Sequence, residues 1–399
     1  MTPRGRLAIA LASTALVAYV ALGSLLGRVL GDTTYGQLAL FNEVLRIVLE
    51  AYVEPVNVDR AMNGARLGLT DALDGDSSYL DAEEFRAYQA GGHETDAEIG
   101  VILSRRVSFL MVVSARAGSP AEKAGIRPGD LIKTIDGRHS RPLSAVAGQR
   151  LLRGAPGSVV KLALLRAGSD PLSIDVVRER LTPLAASARM LDAGAAYVKV
   201  GEFTPKVTDE VRADVEGFKR AGARELVLDL RGAGHGELSE GVKMAELFMK
   251  GGVVARVAGA REEEQVLNAD PARSVWDRPM AVLTDHGTSG AGEILAAALL
   301  GLQGALLDAG RASVVGEPTF GRAPIQRAVV LPEGGLVLTV ARYVSPKGTA
   351  IHGKGVTPSV PIQDRDEDAD EDAAKGVPAG DPILEKALEV LRGEIKKAA

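Results

Sequence analysis

Hydrophobic and polar residues follow different patterns in successive parts of the chain, and the first part is one long apolar run. The run from Leu7 to Gly27 contains 21 uncharged residues between two arginines. As a helix it would span about 31 Å, close to the roughly 30 Å hydrocarbon core of a bilayer. This predicts a membrane anchor within 1–31, with the short basic flank on the cytoplasmic side. A cleaved signal peptide and a buried core helix are the alternatives.

Helical spacing follows the apolar run. Apolar residues recur at alternating spacings of three and four, the stripe of an amphipathic helix, at Leu38, Phe41, Leu45, Val48 and Tyr52. A second helical stretch is predicted from about Ala61 to Leu73, and the segment from Gly75 to Asp81 is predicted to be a turn. We expect 32–96 to form a helical arm or cap, and its sequence indicates no chemistry.

From residue 97 to about 180 the pattern changes to the two-residue alternation of β-strands. The clearest runs are Ile99–Leu103, Phe109–Ser114, Leu131–Ile135, Val159–Leu165 and Leu172–Val176. Between the second and third runs, Ser119-Pro120 is typical of a helix start and Gly125 of a helix end. A small β-rich domain with short helices is therefore expected.

Strands alternate with helices from Ala196 onward, which favours a mostly parallel sheet. The predicted strands are Tyr197–Val200, Glu225–Leu230 and Met280–Thr284. The predicted helices are Thr208–Ala221, Glu240–Met249 and one that follows a loop at Gly287 and ends near Leu300. The fold class is thus multidomain α/β.

Composition excludes several classes of function. The 399 residues include no Cys, which excludes disulfides, thiolate catalysis and Cys-ligated metal sites. Lys and Arg number 47 against 52 Asp and Glu, so nucleic acid is not an expected partner. An acidic run marks 363–380 as a solvated linker, followed by a helix at 381–399. The five His residues have no metal-binding spacing, and no cofactor is expected.

Two segments of the β-rich region resemble a PDZ domain of the processing-protease kind. They are GSPAEKAGIRPGDLIKTIDG, from Gly118 to Gly137, and LLRGAPGSVVKLALLR, from Leu151 to Arg166. Such a domain binds a peptide C-terminus by strand addition, and backbone N–H groups of one loop hold the terminal carboxylate. The resemblance assigns this peptide-binding loop to Glu98, Ile99, Gly100, Val101 and Ile102. A PDZ domain kept only for packing is the alternative.

The later segments resemble the carboxyl-terminal processing peptidases, the tail-specific serine proteases of family S41. The matching segments are LVLDLR, GEPTFG, ARYVSPKGTAIHGKGVTPSV and DPILEKALEVLRG, and the likeness extends from Tyr35 to Gly393. The resemblance implies a PDZ domain at 97–180 that presents substrate. It also implies a crotonase-like α/β domain at 181–362, where a Ser–Lys pair cleaves the bound chain.

The Ser–Lys pair of that family is missing at the matching positions. The family segment G-S-A-S-A-S-E corresponds to Gly287–Glu293, which places Gly290 at the nucleophilic serine. Arg322 lies at the position of the general base, the Lys after G-E-P-T-F-G, and Gln326 matches the Gln that orients this Lys. Arginine stays protonated in proteins, so Arg322 cannot take a proton from a nucleophile.

The oxyanion region departs from the family as well. The Pro-Gly-Gly that follows L-D-L-R in the family corresponds to Gly234, His235 and Gly236, whose backbone N–H groups could still bind an oxyanion. Ser289 is the alternative nucleophile, because a catalytic triad is defined by geometry and not by sequence position. Its simpler interpretation is a serine at a helix start that bonds to local backbone.

We therefore expect a catalytically inactive S41 homologue on the periplasmic side of the bacterial inner membrane. Its PDZ domain would bind the C-termini of unfolded or partner proteins. A homo-oligomer and a complex with an active protease relative are both open. The alternatives are an active serine endopeptidase that cleaves C-terminal tails through Ser289, and a structural envelope protein whose PDZ domain is unused.

Overall fold

The computed structural model describes residues 35–91, 97–106, 108–191, 194–261, 263–301, 311–362 and 380–398. Contacts divide the chain into two compact units, Met1–Ala65 and Arg66–Ala399. The predicted anchor at 1–31 and the acidic run of the predicted linker lie outside the described residues. Among the helices that are described, none is long and apolar enough to cross a membrane.

The first unit contains helix α1, at 35–51, and the beginning of α2 (Val58–Asp71). α1 includes the predicted apolar stripe, but Leu38, Phe41 and Tyr52 are all exposed in this chain. Arg46 forms ion pairs along the helix with Glu43 and Glu50, at 2.5 and 2.7 Å. Pairs at these spacings stabilise a helix by a few tenths of a kcal/mol each.

The second unit begins with strand β1 (Ser78–Leu80) and helix α3 (Ala82–Gln89). The prediction of a turn over the whole of Gly75–Asp81 is therefore wrong. The hydrogen bonds that make β1 a strand come from a distant segment, since Ser78 lies opposite Val337 in an antiparallel pair. α3 begins at a capping box formed by the Asp81 and Glu84 side chains.

A six-stranded antiparallel sheet follows, in the order β2-β3-β4-β6-β7 with β5 on β4. The strands are β2 (Val101–Arg106), β3 (Phe109–Ala115), β4 (Leu131–Ile135), β5 (Arg138–His139), β6 (Val159–Leu165) and β7 (Leu172–Val177). The helices are α4 (Pro120–Lys123), which has Ser119 as its N-cap, and α5 (Ala145–Leu151).

A second six-stranded sheet has the order β17-β14-β13-β10-β9-β8. All of its pairs are parallel except that of β8 with β9. The strands are β8 (Ser187–Met190), β9 (Ala195–Lys199), β10 (Glu225–Asp229), β13 (Met280–Thr284), β14 (Ala312–Gly316) and β17 (Val360–Pro361).

The third sheet is antiparallel and joins β1 to the end of the chain, in the order β1-β16-β11-β12 with β15 on β16. Its other strands are β11 (Val253–Gly259), β12 (Gln265–Asn268), β15 (Pro324–Leu331) and β16 (Gly334–Val344). A 3-10 turn at Pro271–Arg273 follows β12.

Helices cover both faces of the parallel sheet. Residues of α6 (Pro205–Arg220), α7 (Leu238–Glu246) and α8 (Ala291–Gly301) pack on one face, and α9 (Pro382–Ala398) packs on the other. This explains the nearly continuous apolar sequence of the central strands. The loops after β10, β13 and β14 lie at the carboxyl ends of parallel strands, where ligand sites of α/β folds usually occur.

Candidate active site

A cleft of about 860 Å³ lies between the antiparallel sheet that begins at β2 and the loops of the parallel sheet. Residues of β2, α5 and α3 line its walls. The loop 234–236, Arg322 and Gln326 also line the cleft, and we call this part of the lining its inner end. The structure therefore brings the peptide-binding loop, the oxyanion region and the predicted base position to one cleft.

Gly290 lies at the start of α8 with a φ of +58°, in the left-handed region. A Cβ atom built on Gly290 would be 3.2 Å from Leu238 Cδ2 and 3.6 Å from Gly234 O. A small side chain would thus fit after a minor shift of Leu238, at a backbone cost of about 1–2 kcal/mol. The position has room for a nucleophile but carries none.

Arg322 forms an ion pair with a residue that the sequence did not indicate. Its Nε donates to Asp76 Oδ1 at 2.7 Å, and Asp76 is buried. Gln326 Nε2 donates to the backbone oxygen of Asp76 at 2.8 Å. Asp76 belongs to the segment 32–96, whose sequence indicates no chemistry. Arg322 and Gln326 together hold the Asp76 segment at the inner end of the cleft.

A buried carboxylate, Glu293, connects Gly290 and Arg322. It accepts N–H bonds from Gly290 (3.0 Å), Gly321 (2.6 Å) and Arg322 (2.6 Å), and a hydroxyl bond from Thr319. Burial raises the pKa of Glu293 to about 7, although these four bonds favour the ionised form. In the sequence, Glu293 is the last residue of the matched family segment Gly287–Glu293, and no role is predicted for it. Its position three residues after Gly290 is the capping-box spacing that could have revealed the role.

Backbone N–H groups line the oxyanion region without acceptors. Those of Gly234, His235 and Gly236 make no hydrogen bond to any described residue, and Gly234 is buried. The N–H of Gly290 is already used by Glu293. Because a buried N–H without a partner is rare in proteins, the N–H of Gly234 is expected to bind a ligand or water, whereas His235 is half-buried and Gly236 is exposed.

The loop that carries these groups is held by side chains from the neighbouring strand end. Asp285 Oδ1 accepts the N–H of Gly232 at 2.9 Å, and the Thr288 hydroxyl lies 2.9 Å from the backbone oxygen of Leu230. Burial raises the pKa of Asp285. These contacts fix the loop after β10 against the loop after β13.

Comparison with known proteins places this cleft in a family. The Peptidase family S41 model matches 194–362, and a PDZ domain model matches 111–166. The carboxy-terminal processing protease CtpA of Bacillus subtilis is 29% identical over 84% of this chain and 71% of its own length. The carboxyl-terminal-processing peptidase 2, chloroplastic, of Arabidopsis thaliana is 31% identical over 79% of this chain and 64% of its own. A solved photosystem II D1 C-terminal processing protease is 27% identical, covers 80% of this chain and 86% of its own, and has a TM-score of 0.67.

By these matches, residues 194–362 form a peptidase family S41 domain and residues 111–166 belong to a PDZ domain. The relatives of this S41 chain are named as proteases, and the loss of the Ser–Lys pair at Gly290 and Arg322 stays a prediction. The cleft of the S41 chain lies between its PDZ domain and its peptidase-type domain, and both contribute lining residues.

In this S41 chain Ser289 does not line the cleft. It is fully buried, and its hydroxyl has no hydrogen-bond partner among the described residues. A Cβ built on Gly234 would lie 2.1 Å from Ser289 Oγ and 3.1 Å from Ser114 Oγ, so the serine packs behind the oxyanion loop. His286 is exposed, and its Nε2 lies 3.8 Å from Glu317.

His235 is the histidine that lines the cleft of the S41 chain. Burial lowers its pKa to about 4, and the positive charges of Arg116 and Arg322 act in the same direction. The imidazole is therefore neutral at neutral pH, and it is a weak base.

The predicted peptide-binding loop of the PDZ domain leads into β2. Gly100 has a φ of +82°, and a Cβ there would lie 2.4 Å from Ser119 Cβ, so only glycine fits. The N–H groups of Ile99 and Gly100 have no acceptor in the described part of the chain.

Gln149 of α5 donates to the backbone oxygen of Val101 at 2.8 Å and thus bonds to the start of β2. Ile102 and Glu98 line the cleft, and Glu98 lies 3.7 Å from Arg153.

One group of side chains has the composition of a metal site. Ligand atoms of Asp74, Asp76 and His352 lie within 4.8 Å of one another. However, Asp76 is paired with Arg322, and Asp74 accepts hydrogen bonds from Asp76 and Ser77. A cation would have to displace or tolerate the guanidinium, so these residues do not fit a metal.

Proposed function

We propose that this S41 chain binds the C-termini of other proteins and does not cleave them. The observation that carries the proposal is the ion pair of Arg322 with Asp76, beside a glycine at the nucleophile position. It supports a site in which the two positions of the family's Ser–Lys pair no longer transfer a proton. One of them, Arg322, is instead held in an ion pair.

Peptide cleavage by a Ser–Lys pair requires two events that these residues do not support. A hydroxyl must attack the carbonyl carbon, and an unprotonated amine must accept the hydroxyl proton. Gly290 has no hydroxyl. Arginine stays protonated in proteins, so Arg322 cannot accept this proton.

The alternative, an active endopeptidase with Ser289 as its nucleophile, has less support. The Ser289 hydroxyl is buried behind the oxyanion loop and has no base bonded to it among the described residues. His235 has a pKa near 4, which makes it a poor general base at neutral pH. A substrate carbonyl in the cleft would have to reach an atom that the cleft does not expose.

Peptide binding is supported by the PDZ domain. The free N–H groups of Ile99 and Gly100 can bind a terminal carboxylate, and the start of β2, before Arg105 donates to Gly75 O, can accept an added strand. We propose that the ligands are C-termini of unfolded or partner proteins in the cell envelope. The predicted anchor in 1–31 would hold the protein at the periplasmic side of the inner membrane, and an active family member or a second copy is the proposed partner.

A cleavage experiment tests the loss of activity. We expect the purified full-length chain to leave an unfolded protein intact, as measured by mass spectrometry of the products. The variant Ser289→Ala is the matched control. Cleavage by the parent that disappears in this variant would refute the proposal and establish a relocated nucleophile.

A binding experiment tests the PDZ assignment. A neutral peptide with a free C-terminus should bind the full-length chain in isothermal titration calorimetry, and the same peptide with an amidated C-terminus should bind at least tenfold more weakly. Equal affinities would show that the terminal carboxylate is not recognised.

A further inference from the structure

The inner end of the cleft contains hydrogen-bond donors that no described residue satisfies. The guanidinium of Arg322 has five N–H groups, of which the Nε–H bonds to Asp76. Its terminal amino groups have no acceptor among the described residues. The N–H groups of Gly234, His235 and Gly236 lie at the same end of the cleft and also have none. We call these groups the inner donors.

The charged side chains that line the cleft do not supply an acceptor for these donors. Asp76 is held by Arg322, and Glu98 lies near Arg153. Glu84 belongs to the α3 capping box, and burial raises its pKa, which favours the neutral acid. Arg150, the remaining charged residue of the lining, is itself a cation.

The positive charges at this end of the cleft are largely offset by paired carboxylates. Arg116 and Arg322 both act to lower the pKa of His235, after the larger effect of burial. Arg116 is paired with Glu202 and Arg322 with Asp76, so the net charge is small. An anion would therefore be bound by direct hydrogen bonds to the inner donors, and a planar carboxylate matches the fork of a guanidinium.

The direction of β2 indicates which part of a bound peptide reaches the inner donors. A peptide held at Gly100 by its C-terminus would add antiparallel to the start of β2. Its upstream residues would run toward the far end of β2, where the N–H of Arg105 donates to Gly75 O at 2.9 Å, one residue before Asp76. Arg106 Cζ lies 5.2 Å from the ring centre of Phe320, two residues before Arg322. An upstream side chain, and not the terminal carboxylate, is thus placed toward Arg322.

We infer that the inner donors bind the side-chain carboxylate of an Asp or Glu that lies upstream of the free C-terminus of the peptide ligand. The inference rests on the proposed function, because it requires a peptide held by the PDZ domain. Arg322 is then a specificity-determining residue for acidic peptides.

A peptide scan on the full-length chain tests this inference. The probe is a neutral peptide of about ten residues with a free C-terminus, which spans about 33 Å when extended. One Glu is moved through the upstream positions, and each peptide is paired with its Gln isostere. Calorimetry should show at least tenfold tighter binding of Glu over Gln at one position, equivalent to about 1.4 kcal/mol.

Two variants test whether Arg322 causes the preference for Glu over Gln. Arg322→Met combined with Asp76→Asn removes the guanidinium without leaving a buried unpaired charge, and it should abolish the Glu preference. Arg150→Met removes another cation of the cleft and should leave the preference intact. If Arg150→Met reduces the preference as much, the cause is the general field of the cleft and the inference is wrong.

The remaining outcomes separate this inference from the proposed function. Equal binding of Glu and Gln peptides at every position overturns the inference and leaves peptide binding by the PDZ domain in place. If the affinity of a neutral peptide depends on Arg322, its terminal carboxylate binds at the inner donors. This result also overturns the inference. If no peptide with a free C-terminus binds, both proposals fail.

Discussion

At residue 293, burial and hydrogen bonding act on one carboxyl group in opposite directions. Four donors surround Glu293, yet burial is the larger effect and raises its pKa to about 7. In the unfolded chain the pKa is near the ordinary 4.5. The folded state therefore binds the proton more tightly than the unfolded state does, and ionisation of Glu293 destabilises the fold.

This shift predicts a loss of stability as the pH rises. The contribution of Glu293 is fully present below about pH 4.5 and is lost as the pH rises through about 7, with a size of roughly 3 kcal/mol. We expect the difference in unfolding free energy between the parent and Glu293→Gln to change by about this amount between pH 4.5 and 8. Other titrating groups, such as His235, are common to both proteins and cancel. A difference that does not vary with pH would contradict the account.

The sequence identifies some residues of the site and gives no sign of others. Gly290, Arg322 and Gln326 were found by their places in family segments, and the structure puts Arg322 and Gln326 at the inner end of the cleft. Asp76 was missed, because its segment has no local pattern that points to Arg322. The two meet through tertiary contacts, among them the pairing of β1 with β16 and the bond from Gln326 to the Asp76 backbone.

At the scale of elements, the peptide-binding loop depends on a single glycine conformation. Gly100 and Gly118 both have positive φ, so alanine at either position costs about 1–2 kcal/mol of backbone strain. The two positions differ in the room for a Cβ atom. At Gly100 it would clash with Ser119, and at Gly118 it would have no atom within 4 Å.

This difference gives a matched pair of variants. Gly100→Ala should displace the loop and weaken binding of a peptide with a free C-terminus at least tenfold, because the N–H groups that hold the carboxylate move. Gly118→Ala should keep the affinity within about twofold. Calorimetry measures both. An equal loss in the two variants would mean that strain, and not loop geometry, controls binding.

Strands with regular side-chain patterns were predicted with the bounds that they have in the structure. Leu131–Ile135, Val159–Leu165 and Met280–Thr284 are examples, since their alternation or continuous apolar sequence is local information. The short helices α3 and α5 were not predicted. α3 has eight residues and few apolar ones, and packing of Phe85 against Leu80 and Val337 is what holds it in place.

At the scale of the whole molecule, ion pairs of Arg231 add to the apolar packing that joins the C-terminal helix to the parallel sheet. Arg231 donates to Asp229 and to both carboxylate oxygens of Asp381, at 2.7 to 3.0 Å. Asp229 is fully buried and also accepts the hydroxyl of Tyr197 at 2.6 Å. Asp381 caps α9 by accepting the N–H of Leu384. The ion pairs therefore connect the strand before the oxyanion loop to α9.

The ion pairs of Arg231 with Asp229 and with Asp381 should contribute unequally to the free energy of unfolding. Arg231→Met leaves Asp229 buried without its cation and should cost about 3–5 kcal/mol of unfolding free energy. Asp381→Asn affects a carboxylate that is about a third exposed, and it should cost only about 1 kcal/mol. It should also speed hydrogen exchange in α9. Urea unfolding and exchange mass spectrometry measure these effects, and equal costs would contradict the assignment.

Restoring the dyad is the most direct test of the central claim that residues 290 and 322 have lost catalysis. Gly290→Ser with Arg322→Lys supplies both groups, but Asp76 would keep the new lysine protonated. Adding Asp76→Asn removes that charge. The measurement is the rate at which the parent, the double variant and the triple variant cleave an unfolded protein. We predict no cleavage by the parent, and at least tenfold faster cleavage by the triple than by the double variant. Cleavage by the parent that is lost in Ser289→Ala would contradict the account.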